Sequence, residues 1–215
     1  MTTLDAPRTE DRPLDQEADL FAINAVDHVE FWVGNAKQAA FYWKYWGFKP
    51  VAYSGLETGN RRCASYVLEQ GKIRLVVSTP YSPHDEMAAH HLLHGDGVKH
   101  IALEVDNVEN AYRESTARGA KGLQPPTEAR DERGVLRTAC IQGYGQTVFK
   151  YVDRSEYTGP FAPGFKELPA DPTVKPIGLA AVDHIVGNVE LGKMNYWVNW
   201  FHKALGFRQI VHYDD

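Results

Sequence analysis

Long hydrophobic runs are missing from this chain of 215 residues. No stretch reaches eighteen consecutive apolar residues, so no helix is expected to span a bilayer. A dominant charge sign is missing too. Lys and Arg number 23 against 28 Asp and Glu, a net charge of −5, which leaves no basic face for nucleic acid and no polybasic membrane anchor. Cysteine is scarce: Cys63 and Cys140 are the two, and neither lies in a metal-type CxxC. Two reduced, buried thiols of a cytoplasmic protein are expected rather than a disulfide. The first twenty residues lack the basic start and apolar core of a secretory signal, and residues 1–20 read as a disordered lead-in. What is present is ordinary globular composition, 43% hydrophobic and 24% charged, enough for one to two domains.

The chain repeats itself. Ala25-Val26-Asp27-His28-Val29 returns as Ala181-Val182-Asp183-His184-Ile185, 156 positions later. Each copy is followed by a helical stretch ending at Gly-Phe, Gly47-Phe48 and then Gly206-Phe207. A strand-like run follows each, Lys49–Tyr53 and Arg208–Tyr213. Self-similarity over that distance indicates two related domains, with residues 180–215 expected to be the start of the second.

Periodicity orders the first domain. Residues 21–33 alternate as a strand, Asn35 is a helix cap, and Ala36, Ala39, Ala40, Trp43 and Trp46 follow helical spacing up to Gly47. Strands are expected over Phe48–Ser54, Cys63–Glu69 and Ile73–Ser78, the last two joined at Gln70-Gly71. A short polar helix is expected near Pro83–His94. A strand at Lys99–Val105, a helix at Val108–Arg118 and strands near Ala120–Gln124, Leu136–Gln142 and Thr147–Asp153 repeat the β-α-β-β-β order. The domain at 21–153 therefore reads as α+β, two such units pairing into one open, curled barrel. Residues 154–179 carry five of the twelve prolines and read as a linker that wraps rather than builds a core. Beyond it, Met194, Trp197, Val198, Phe201, Ala204 and Leu205 form one apolar stripe, expected to stay uncovered in this chain.

His184 is the candidate metal ligand. In a strand it shares a face with Val186, and a neutral imidazole is a good ligand for iron, zinc or nickel. A lone strand histidine is more often a core residue; its place at the opening of a repeated unit raises its interest. The run Val182-Asp183-His184-Ile185-Val186-Gly187-Asn188-Val189-Glu190-Leu191-Gly192-Lys193-Met194 resembles the start of the catalytic domain of the 4-hydroxyphenylpyruvate dioxygenase family. Asp153-Arg154-Ser155-Glu156-Tyr157-Thr158-Gly159-Pro160-Phe161 resembles that family's interdomain stretch. Val33-Gly34-Asn35-Ala36 with Gly47-Phe48, and His94-Gly95-Asp96-Gly97-Val98, resemble its N-terminal domain.

The resemblance implies the vicinal-oxygen-chelate (glyoxalase/bleomycin-resistance-like) fold of paired βαβββ modules. It implies an iron(II)-dependent dioxygenase that converts 4-hydroxyphenylpyruvate, an aromatic 2-oxo acid, and O2 to homogentisate and CO2 in tyrosine and phenylalanine catabolism. Family members hold Fe(II) with two histidines and a glutamate, an arrangement that leaves coordination positions open. The first ligand carries over to His184. The other two would lie beyond Asp215, so this chain is expected to be inactive alone. A cytoplasmic homo-oligomer is expected. 4-Hydroxymandelate synthase, of the same family, is the alternative activity, and a non-catalytic binding or scaffold module the alternative class.

His28 occupies the repeat position of His184. His100, in Gly97-Val98-Lys99-His100-Ile101-Ala102-Leu103, resembles the run that carries the second ligand, and the third position falls near Lys150. An ammonium donates hydrogen bonds and repels a dication. His28, His100 and Lys150 are therefore expected to be a metal-free relic. His84, His90, His91 and His94 are read as a solvated helix face, with His90 and His94 sharing a side. The aromatics between Phe41 and Trp46 are read as core packing rather than a ring-binding cleft.

Overall fold

The computed structural model describes residues 21–211, so the expected lead-in at 1–20 and the end of the last expected strand lie outside the described residues. The first module is β1 (Ile23–Trp32), α1 (Ala36–Tyr45), β2 (Lys49–Ser54), β3 (Cys63–Gln70) and β4 (Ile73–Pro80). After α2 (Glu86–His94), the second is β5 (Gly97–Val105), α3 (Val108–Ala117), β6 (Gly122–Asp131), β7 (Gly134–Gln142) and β8 (Val148–Asp153). The strands lie in the order β6-β7-β8-β5-β1-β4-β3-β2, extended beyond β2 by a short β9 (Lys166–Glu167). Within each module the first and last strands pair in parallel, β1 with β4 and β5 with β8, while β1 and β5 join the modules antiparallel. The sheet remains open, with β6 and β9 at its edges.

Local chemistry explains the breaks. Asn35 and Asn107 each cap a helix by accepting a backbone N–H three residues on, from Gln38 and Asn110. Gly47, at φ +78°, takes the left-handed position that ends α1. Pro125 and Pro126 are tolerated in β6 because it is an edge strand, and the β6–β7 register shifts between Gln124 and Thr127.

Alternation along β1 sorts the two faces. Val29 and Val33 point to the helix side with Ala36, Ala40, Phe48, Leu68 and Val77. Across the module boundary Ile101, Leu103, Phe149 and Tyr151 pack under Val108 and Ala111 of α3. His28, Glu30 and Trp32 point to the opposite face. That face is closed at one end by Phe161, whose ring meets His28 edge-on, and at the other by α2, where Trp32 meets His90.

Residues 154–179 do build core, contrary to the sequence reading. Phe161 packs with Ala52, Val67 and Val76, and Tyr157 with Ala102, Leu136 and Val152. The segment also contributes β9, which covers part of the exposed β2 edge. The second AVDH copy departs further: residues 181–193 form no strand and residues 206–211 none. A strand is stable only on a ladder partner, and among the described residues no strand flanks this stretch. Its backbone instead leans on the first module, with the Lys72 N–H donating to the Ala180 carbonyl at 2.7 Å. The helix that follows, α4 (Met194–Leu205), is not left bare. Ala204 and Leu205 are buried in the α3 cluster, and Trp200 and Phe201 pack on Phe149. Solvent-excluding contact with an available apolar face is favourable whichever sheet supplies it.

Candidate functional site

The helix-free face of the sheet carries a line of polar groups. Glu30 on β1 stands opposite His100 on β5, and its Oε2 lies 2.8 Å from His100 Nδ1. Its Oε1 accepts from the Ser78 hydroxyl at 2.8 Å, and Ser78 bonds Ser65 at the same distance. Burial alone would raise the Glu30 carboxyl, but the His100 imidazole bonded to it, helped by the Lys150 ammonium, outweighs burial and holds the group well below the carboxylate range. Glu30 is therefore ionised at neutral pH.

His28 is buried and its Nδ1 lies 3.1 Å from Asp27 Oδ2. A register shift between Val26 and His28 brings these sequence neighbours within reach of each other. Asp27 is held in turn by Arg154 Nε, at 2.5 and 3.0 Å, and by Arg74 Nη1 at 3.3 Å. Burial pushes Asp27 up, but His28 and Arg154 together draw it well below its ordinary value. Burial lowers the His28 imidazole, against the pull of Asp27 and with the help of Lys150. The histidine is neutral, and the ionised Asp27 fixes its proton on Nδ1.

Of the groups on this face, Glu30 and His100 border a cavity of about 610 Å³, whose lining also includes Lys150, Trp32, Cys140 and Gln124 but not His28 or Asp27. The structure brings the expected trio together but adds Glu30, which the sequence reading passed over. The signal was available: Glu30 stands two positions after His28 on the same strand and so shares its face. Among the described residues, no group of three His, Cys, Asp or Glu is arranged to hold a metal ion.

His184 lies apart. Its side chain is 73% exposed and its Nδ1 sits 2.7 Å from Asp183 Oδ2, repeating the pairing of Asp27 with His28. It borders a second, largely apolar cavity of about 360 Å³ between the 182–189 stretch, α4 and the sheet residues Val26, Ile101 and Phe149. One exposed imidazole does not make a metal site, so the described residues do not by themselves fit a bound iron.

Two surface readings are corrected. His90 is buried against Trp32, and both it and His94 point at the Gln146 side-chain oxygen Oε1, at 3.2 and 3.0 Å. Only part of the expected solvated face is solvated. On α1 the small Ala36 and Ala40 are buried against the sheet, with Trp43 on Phe31 and Phe48. Phe41, Tyr42, Tyr45 and Trp46 are exposed, because helical spacing turns them away from the alanine stripe. Both cysteines are free, with Cys140 buried, its thiol raised by burial, and Cys63 partly so.

Two βαβββ modules joined through β1 and β5, with polar residues on the helix-free face, define the class. The Glyoxalase/Bleomycin resistance protein/Dioxygenase superfamily matches residues 27–136, and the chain belongs to it. Within that class it is 42% identical to the 4-hydroxyphenylpyruvate dioxygenase of Dictyostelium discoideum, across 88% of this chain and 53% of that protein. It is 38% identical to the enzyme of the same name from Neurospora crassa, across 93% and 54%, and 41% identical to that of Tetrahymena thermophila, across 88% and 49%. The resemblance seen in the motifs is thus the one these relatives carry. The chain spans about half the length of each. Its fold is also that of a variant 4-hydroxymandelate synthase from Streptomyces coelicolor, at a TM-score of 0.73 and 24% identity over 86% of this chain and 53% of that one. No helix among the described residues is long and apolar enough to cross a membrane.

Proposed function

We propose that the chain is the N-terminal half of an iron(II)-dependent dioxygenase that takes 4-hydroxyphenylpyruvate and O2 to homogentisate and CO2 in tyrosine catabolism. The observation that carries this reading is identity of 38–42% to enzymes named 4-hydroxyphenylpyruvate dioxygenase, maintained over about nine-tenths of the chain. In this reading residues 21–153 are the non-catalytic domain, 154–179 the connection, and 180–215 the opening of the catalytic domain. His184 is one of three iron ligands, its Nδ1 proton directed to Asp183 and its Nε2 left to bind. The enzyme is a cytoplasmic homo-oligomer.

The test uses two proteins, this chain and a form of the relatives' length. The longer form is expected to retain iron and make homogentisate, and this chain to do neither. His184→Ala in the longer form is expected to abolish iron retention by elemental analysis while circular dichroism stays unchanged. Normal iron content in that variant would remove His184 from the ligand set. Hydroxymandelate as the product would replace the dioxygenase reading with that of the synthase.

A further inference from the structure

The cavity on the helix-free face contains one charge that the fold does not use. Glu30 is bonded to Ser78 and His100. Arg62 is forked onto Asp85 and reaches Glu86. Lys99 donates to the Gln146 carbonyl at 2.7 Å and lies 4.9 Å from the Trp32 ring centroid. Lys150 also lines the cavity, yet among the described residues its ammonium meets no hydrogen-bond or ion-pair partner. It is near enough to Glu30 and His28 to act on both through space, but it is bonded to neither. An ammonium has three donors, and at the half-buried Lys150 they stand open to any acceptor that enters the cavity.

We propose that this cavity binds a small monocarboxylate. Its carboxylate accepts from the Lys150 ammonium, and its apolar body lies against Trp32, Met87, Leu123 and Val148. At about 610 Å³ the space is within the range of small-molecule sites. The ligand carries one negative charge because, His100 aside, the lining sets Glu30 and Glu86 against Arg62, Lys99 and Lys150, an excess of one cation that a single carboxylate balances and a dianion overshoots. The four apolar residues among this mostly polar lining favour a short hydrocarbon body beside the carboxylate over a bare inorganic anion. The site lies in the first two modules, needs no metal, and stands whether or not the dioxygenase reading holds.

The test is calorimetric and NMR titration of the 215-residue protein with hexanoate, with inorganic phosphate as the counter-probe. Saturable hexanoate binding that shifts the Trp32 indole signal is expected, with no phosphate binding at this site. Lys150→Met is expected to weaken hexanoate at least about tenfold, the loss of roughly one charge-assisted contact, and Lys150→Arg to keep most of the affinity. Leu123→Asp, at a half-exposed position on the rim, adds a repelling carboxylate without entering the core and is expected to weaken hexanoate even if Lys150→Met fails to fold. The proposal is overturned by absence of saturable hexanoate binding to the unmodified protein. Affinity unchanged in both Lys150→Met and Leu123→Asp, or phosphate competing as strongly as hexanoate, overturns it equally.

Discussion

Replacing Asp27 with Asn removes one charge from the middle of β1 while keeping its shape. The Asp27 side chain is 1% exposed, and it accepts from Arg154, Arg74 and His28 together. Asn can keep part of the geometry but not the charge that two guanidinium groups face. Breaking a buried ion pair from one side costs about 3–5 kcal/mol, because the remaining charge is left uncompensated. Arg154 and Arg74 are 19% and 28% exposed, so water partly rescues them and the lower end, about 3 kcal/mol, is expected. Against a typical total of about 5–15 kcal/mol that is a large fraction. Urea unfolding followed by tryptophan fluorescence at neutral pH should show a lower midpoint with an unchanged slope. The sign with pH follows from the depressed carboxyl. Its stabilisation is fully present above the ordinary carboxylate value and fades as pH falls toward the folded-state value. The gap between wild type and Asp27→Asn is therefore widest at neutral pH and narrows in acid. A loss below about 1 kcal/mol at neutral pH, the worth of an exposed pair, or a gap that widens on acidification, would refute the reasoning.

Phe161→Ala should cost about 3–5 kcal/mol in the same urea assay, since the ring fills the space over Ala52, Val67 and Val76, and it should open residues 154–179 to limited proteolysis. Gly71→Ala should cost about 1–3 kcal/mol, measured as a fall in thermal midpoint: Gly71 sits at φ +59°, and a Cβ there would come within 2.6 Å of the Ala180 carbonyl oxygen. His184→Ala in this 215-residue chain should leave stability within about 0.5 kcal/mol of wild type, because the side chain is largely exposed and bonded only to its neighbour Asp183. A larger loss would mean that the 181–189 stretch depends on that imidazole for its place on the sheet.

The order of elements from β1 to β8 was legible because each signal is local. Asn35 caps α1, Gly47 stops it, and Gln70-Gly71 turns between β3 and β4. The polar face was legible in part. His28, His100 and Lys150 were found through the repeat and the resemblance, whereas Glu30 was passed over although it obeys the same alternation as His28. The aromatics of α1 misled because hydrophobic identity was weighted above helical phase, and phase put the alanines inside. His90 misled the other way: a polar residue on a polar helix is buried because Trp32 from β1 meets it.

The sequence by itself determined the twofold β-α-β-β-β order, the helix ends, and the faces of each strand, since turn chemistry, capping and period-two alternation act over a few residues. Only the tertiary structure decided how Asp27 gathers Arg74 from β4 and Arg154 from beyond β8, and why Phe161 is core rather than linker. It alone decided that the second AVDH copy stays without a strand while α4 seats on α3 and β8. Those outcomes depend on which distant surfaces are available to pair or to bury. A strand needs a ladder from elsewhere in the chain, and an apolar stripe takes the nearest complementary face, neither of which is written in the segment itself.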